Sequence, residues 1–320
     1  MHPFGPRATG RMSRRLVLVL VGIGGQVVGV PPASCAEGAL PFSALRLSAH
    51  TDRSAYIVGQ PIALYIRLCN PHTQPAMAHG RLDWAREHAY RWLLVLVGRD
   101  GEGFQRYRPH GMPLFTVPPL PPEPMPAGAS RTTKVLLSPD GEGCGCLRAP
   151  GRLLIKVEYR NVGPREERIA AEGVAVDLRE PAGSAARALS WLRDHGAVPL
   201  LGDLFWLRDS LTHEDVATLS QFLREFGATA YGPYARYGLA QIYYYKRDYQ
   251  EAAPHFEQIA RDRAALGVAD EAAYLAGECR RLLGNTEAAR RWYEKVVRRY
   301  PNTPAAEKAE RALKQQPSRQ

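Results

Sequence analysis

The sequence predicts a multidomain all-β plus all-α protein, an N-terminal antiparallel β-sandwich followed by a C-terminal α-solenoid, with an export segment in front. Three observations predict it. Apolar residues alternate with period two between about residues 40 and 180, the period turns helical after Glu180-Pro181-Ala182-Gly183, and the last third of the chain repeats itself. Trp206, Tyr243 and Arg280 stand 37 residues apart, as do Leu219, Phe256 and Tyr293, and Phe222, Ile259 and Val296. A period of this size marks stacked supersecondary units that bury a continuous core between neighbours. The 320 residues suffice for two domains with their own cores. The expected divisions are residues 1–36, 40–180, a linker and leading helix over 181–196, and repeats over 197–315. Two separable folding units are expected, joined near Glu180 to Ser184.

The first segment reads as a secretory signal peptide. Arg7, Arg11, Arg14 and Arg15 lead into the apolar run Leu16 to Val30, and Ala33-Ser34-Cys35-Ala36 supplies small residues for cleavage. Pro32-Ala33-Ser34-Cys35 resembles a lipoprotein box with proline at its aliphatic position, so cleavage after Ala36 is expected in place of lipid anchoring at Cys35. The implied location is exported, periplasmic or associated with the cell envelope. The formal charge of +10 includes those four arginines, and no acid lies among the first 36 residues, so +6 remains beyond them. From Arg280 to Gln320, eight Arg and three Lys face four Glu, which makes one end of the protein basic. That end could meet an anionic surface, or it could be a solvated helix face; nucleic acid is not an expected partner.

In the first domain, strands are predicted at Leu45 to Ser48, Ile62 to Cys69, Arg91 to Val97, Thr132 to Leu137, Leu153 to Tyr159 and Gly173 to Leu178. Pro109 to Pro126, dense in proline, is expected to be an extended and mostly loop connection. Export would permit disulfides, and Cys69 could bridge to Cys144 or Cys146. Cys279, in the repeats, reads as a small buried hydrophobe. Tyr56-Ile57-Val58-Gly59-Gln60-Pro61 and Ala149-Pro150-Gly151-Arg152-Leu153-Leu154-Ile155 resemble recurrent pieces of bacterial immunoglobulin-like modules, with Gln and Leu where those modules carry Glu and Tyr.

In the second domain a helix is expected from Ala185 to Asp194, then helical pairs at about 197–226, 233–262 and 270–299, and a capping helix opened by Thr303-Pro304. On that last helix Ala305, Ala309 and Leu313 would cover the final repeat while Lys308, Glu310 and Arg311 face water. Leu239-Ala240, Tyr243, Ala252 and Phe256, then Ala276-Gly277, Ala289, Tyr293 and Pro301, resemble the tetratricopeptide pattern of small and large positions. The longer unit and the turn Arg298-Arg299-Tyr300-Pro301-Asn302-Thr303-Pro304-Ala305 resemble the periplasmic subclass, seen in the Tol-Pal coordinator protein and in the lipoprotein of the outer-membrane β-barrel assembly machine.

The resemblance implies that the first helix of each unit lines a concave groove. Carried over by position, the groove would hold Tyr234, Tyr237, Gln241, Tyr244 and Tyr245, then Glu271, Tyr274, Glu278 and Arg281. The first set falls on one helical face by its spacing alone, although spacing does not separate a groove from a core. Tyrosine joins a large apolar area to a polar tip, which suits recognition of a protein segment.

No G-x-S-x-G, G-x-x-x-x-G-K or H-E-x-x-H occurs, and His213-Glu214-Asp215 after Thr212 reads as a charged first helical turn. His72, His79 and His88 lack metal-site spacing, so neither metal nor other cofactor is expected. The function expected is a non-catalytic adaptor that binds a protein or peptide partner in the cell envelope through the repeat groove. The alternative makes the β-sandwich the functional head, as a proteinase-inhibitor-like or carbohydrate-binding module, with the repeats for docking. A protruding loop around Pro109 to Pro126 would favour inhibition, and an aromatic platform on a sheet would favour sugar binding.

Overall fold

The computed structural model describes residues 39–79, 82, 92–99, 101–111, 122–139, 145–160, 167–262 and 266–315. The expected signal peptide, Cys35, Cys144, His88 and residues 112–121 of the proline-rich run lie outside them. All six expected strands are present: β1 (Arg46–Thr51), β3 (Ile62–Cys69), β5 (Leu93–Arg99), β8 (Ser130–Leu137), β9 (Gly151–Arg160) and β11 (Val174–Arg179). Five more appear, β2 (Ala55–Ile57), β4 (Ala76–His79), β6 (Gln105–Arg106), β7 (Pro122–Met125) and β10 (Arg168–Ala170). None of these exceeds four residues, too few for alternation to register in the sequence.

One sheet has the order β1-β3-β8, and the other runs β2-β11-β9-β5-β6 with β10 beside β9. Neighbours are antiparallel except β11 and β2, which run parallel. Both sheets are open. The two share a core in which Leu64, Ile66 and Leu68 of one sheet and Val95, Ile155 and Val157 of the other are fully buried. Tyr107, just after β6, ties the sheets together: its hydroxyl donates to the Leu136 carbonyl and accepts from Ser138 N–H, both at 2.9 Å. The proline-rich run is not all loop, because β7 pairs with β4. Pro122 and Pro124 are two residues apart, so their donor-less nitrogens point to one edge while Glu123 and Met125 supply the ladder.

Seven α-helices follow among the described residues: α1 (Gly183–Asp194), α2 (His213–Phe226), α3 (Gly232–Tyr245), α4 (Tyr249–Arg261), α5 (Leu266–Leu282), α6 (Thr286–Arg299) and α7 (Pro304–Gln315). Their starts are written locally. Thr212 and Asp215 form a reciprocal capping box at α2, Asp248 caps α4, Asn285 caps α6, and Thr303 Oγ1 accepts from Ala306 N–H at 3.2 Å above α7. The expected pair at 197–226 holds one α-helix, since Pro199 and Gly202 limit its first half to the 3-10 turn Val198–Leu201. The small positions of the repeat permit close packing. A β-carbon at Gly277 on α5 would lie 2.6 Å from the Tyr293 ring on α6, and one at Gly238 on α3 would lie 2.0 Å from the Leu200 carbonyl oxygen.

Strands give way to helices between Arg179 and Gly183, but the two parts do not separate. One hydrophobic cluster runs from Phe42 in the strand region to Cys279 on α5, and residues 36–320 form one compact unit. The parts expected as two separable folding units are thus packed together over a shared core. The reason is visible on β3: Ile62, Leu64 and Ile66 face the sheet-to-sheet core, while Ala63, on the opposite face, is equally buried against the helices. A β-carbon at Gly267 on α5 would come within 3.0 Å of Ala63. The tight turn at Gly59, where φ is +94°, docks on α1 and α3, since a side chain there would meet Leu189 at 2.5 Å and Tyr231 at 3.1 Å. Around it the Tyr231 hydroxyl donates to Val58 O at 2.6 Å, and Gln60 Nε2 donates to Ala230 O at 2.9 Å. The result is three layers, in which the β1-β3-β8 sheet has the other sheet on one face and helices on the other. No helix among the described residues is long and apolar enough to cross a membrane.

Candidate functional site

The face that β3 and β8 turn toward the helices carries Tyr65 opposite Lys134 and Arg67 opposite Thr132. Lys134 Nζ donates to Asp270 Oδ1 of α5 at 2.6 Å and lies 3.4 Å from Glu271 Oε2, with both Lys134 and Asp270 buried. Burial alone would pull the ammonium pKa down, but Asp270, Tyr65 and Glu271 outweigh it and hold it above its ordinary value. Glu271 also reaches Lys308 of α7 at 3.5 Å. One residue earlier on α7, Glu307 Oε1 accepts from Thr132 Oγ1 at 2.7 Å. Burial raises the Glu307 pKa, and the Thr132 bond opposes that rise. These links bind the outer strand β8 to α5 and α7, across the inner side of the repeats.

A second lock stands at the start of α3. Arg53 donates to the Tyr234 hydroxyl and lies 4.6 Å above the Tyr56 ring, while Tyr56 donates to Asp52. Burial pushes the Tyr234 phenol up to about 12. Tyr234 is therefore part of the contact between layers, and its expected place on an open groove is corrected. Two neighbours are also buried, but among the helices. Tyr237 is 2 % exposed, edge-on to Phe256 at 6.0 Å, with its phenol raised by burial. Gln241 is 3 % exposed and pins the preceding turn, accepting from Leu204 N–H at 3.1 Å and donating to Gly202 O at 3.0 Å.

Beyond this sealed portion lies a cleft of ≈ 400 Å³. Its walls are Ser130 to Lys134 of β8, Tyr237 to Tyr245 of α3, Glu271 and Leu275 of α5, and Pro304 to Arg311 of α7, with Asp203, Phe205 and Glu123 at the ends. Tyr244 and Tyr245 are half-buried, edge-on to each other at 5.8 Å, and Arg311 is exposed on the rim. Of the residues expected in the groove, Tyr237, Gln241, Tyr244, Tyr245 and Glu271 thus meet around one cavity. Tyr274, Glu278 and Arg281 do not line it. Tyr274 packs on Tyr293 at 5.9 Å, and Glu278 accepts from the Tyr293 hydroxyl and from Arg281 Nη2 at 2.8 Å.

The β8 and α7 walls were not legible as site residues. Glu307, Lys308 and Arg311 share a face of the capping helix, but only the position of β8 shows that this face is inward. Lys308 is correspondingly half-buried and ion-paired, a correction to its expected place in water, whereas Glu310 is exposed. Cys69 and Cys146 carry free thiols in this structure, and Cys144, the other expected partner, lies outside the described residues; Cys279 is buried and free, with its thiol raised to about 12 by burial.

A cleft of this size between a strand and the inner helices of a repeat, aromatic on one wall and of mixed charge on the other, fits an extended chain better than a flat surface does. A family model described as a tetratricopeptide repeat matches residues 237–304, which spans α3 to the first residue of α7. A comparison with curated proteins finds no match.

Proposed function

We propose that this protein is a non-catalytic, exported adaptor that holds an extended segment of a partner protein in the cleft between β8 and helices α3, α5 and α7. Tetratricopeptide repeats are modules of protein–protein contact, and residues 237–304 carry them. The observation that supports this place most is the division of the inner face: Tyr234 is tied to the strand region and Tyr237 and Gln241 are buried against neighbouring helical residues, while Tyr244, Tyr245 and Arg311 border open volume. The strand layer, whose sequence resembles bacterial immunoglobulin-like modules, acts as a fixed second wall that orients the partner. Export rests on the arginine-led apolar segment before Ala36, and the cell-envelope setting on the likeness to periplasmic-type repeats. The alternative of a sugar-binding head gains no support, because no Phe, Tyr or Trp ring among the described strand residues is exposed.

Selection of peptides from a displayed random library tests the reading. Peptides selected on the native protein should bind Tyr245→Ala about 30-fold more weakly, the loss expected of a hot-spot aromatic, and should also lose affinity for Arg311→Glu. Peptides indifferent to both changes would sink the proposed site. For the export part, N-terminal sequencing of the protein from an expressing cell should read from near Glu37.

A further inference from the structure

The corner between α5 and α6 combines features that the cleft does not use. Leu282 and Leu283 are 40 % and 44 % exposed, and they are the exposed large hydrophobics among the described residues. Gly284, at φ +79°, turns the chain immediately after them, so the two leucines stand at a tip. Arg280 and Arg281 precede the tip, and Arg290 and Arg291 follow it on α6. A hollow of ≈ 280 Å³ beside the tip is lined by Arg280, Asn285, Arg291, Trp292 and Lys295, with Glu257 at its floor beneath Arg280. Asn285 also borders the shallow depression formed by Leu283, Gly284 and Thr286, so the apolar tip and the basic hollow are contiguous.

The charge here is only partly neutralised locally. Arg280, Arg281, Arg290 and Arg291 each have a glutamate partner, at 2.6 to 3.4 Å. Lys295, and Arg298 and Arg299 at the far end of α6, have no ion-pair partner among the described residues. Lys295 sits 4.2 Å over the Trp292 ring, with Arg261 over the same ring at 5.9 Å. Burial, and then the positive field of Arg299, Arg261 and Arg298, lowers the Lys295 pKa. An excess of cations beside an indole and a protruding leucine pair matches a bilayer surface, where anionic headgroups overlie an apolar layer. An acidic protein surface would satisfy the cations but would give the leucines no apolar layer to enter.

We infer that the α5–α6 corner docks the protein on an anionic lipid surface, with Leu282 and Leu283 entering the headgroup boundary and Arg291 and Lys295 meeting lipid phosphates. This face lies outside the cleft, so a docked protein can still hold its partner segment. Each cation is worth about a fivefold gain in binding near such a surface, and each partly exposed leucine about the same on entering it.

Co-sedimentation of the full chain with vesicles tests this, using phosphatidylcholine alone and phosphatidylcholine with phosphatidylglycerol. All variants share the same N-terminal residues, so any contribution from those cancels. The protein should bind the anionic vesicles more tightly, and added salt should weaken that binding. Arg291→Gln with Lys295→Gln, and separately Leu282→Ser with Leu283→Ser, should each lower it about 20-fold or more, with an unchanged thermal transition showing that the fold is intact. Equal binding to both vesicle types would overturn the proposal. Loss with the cation pair but not with the leucine pair would also overturn it, by showing plain attraction to polyanions.

Discussion

Lys134 is the residue on which the packing of strands against helices most depends. It is buried among Asp270, Glu271 and the Tyr65 ring, and removing it leaves a carboxylate enclosed without its cation. Lys134→Ala should destabilise the protein by about 3–5 kcal/mol in urea unfolding, while the double replacement Lys134→Met with Asp270→Leu should cost much less, because no charge is then stranded. The sign with pH follows from a lysine pKa held above the ordinary 10.5. The stabilisation is fully present below that value and disappears only as the pH rises through the higher folded-state value. Between pH 6 and 9 the lysine should therefore add its full stabilisation and no slope with pH. Nothing in the sequence around Ser130 to Leu137 marks Lys134 as buried, since alternation of polar and apolar residues on a strand reads as one wet face. That face is dry because helices cover it, a fact of tertiary packing.

Among the elements, the repeat helices were the most legible. Leu219, Phe256 and Tyr293, and likewise Phe222, Ile259 and Val296, recur every 37 residues and are all buried at the same place in α2, α4 and α6. Periodicity reports such positions because each packs on a neighbour of its own kind. It could not report what α3 packs against, so Tyr234 and Tyr237 shared a predicted helical face with Tyr244 and Tyr245 but have a different fate. The short strands escaped for another reason, their length. Close approach at α3 gives a direct check on the element packing. Gly238→Ala places a methyl 2.0 Å from the Leu200 oxygen, and a shift of backbone is needed to relieve it. A loss of about 1–3 kcal/mol is expected, whereas Gly103→Ala, with nothing within 4 Å, should leave the melting temperature nearly unchanged.

At the scale of the whole molecule the described strands and helices pack as one compact unit, in which the strand region covers the start of α3. A fragment beginning at Gly183 would expose Leu189, Tyr231 and Tyr234, which are buried against the strand region through Gly59, Val58 and Arg53. It should retain helical circular dichroism but lack the sharp thermal transition expected of the full chain. The function proposed depends on the same closure, because it is what leaves Tyr244, Tyr245 and Arg311 as the accessible end of the groove. The most direct measurement is therefore the pair of unfolding free energies for Tyr237→Ala and Tyr245→Ala. A sealed inner face gives a loss of about 3–5 kcal/mol for Tyr237→Ala and no more than about 1.5 kcal/mol for Tyr245→Ala, the worth of its edge contact with Tyr244. Small and equal losses would mean that the face is open along its whole length and that the sheets do not cover it.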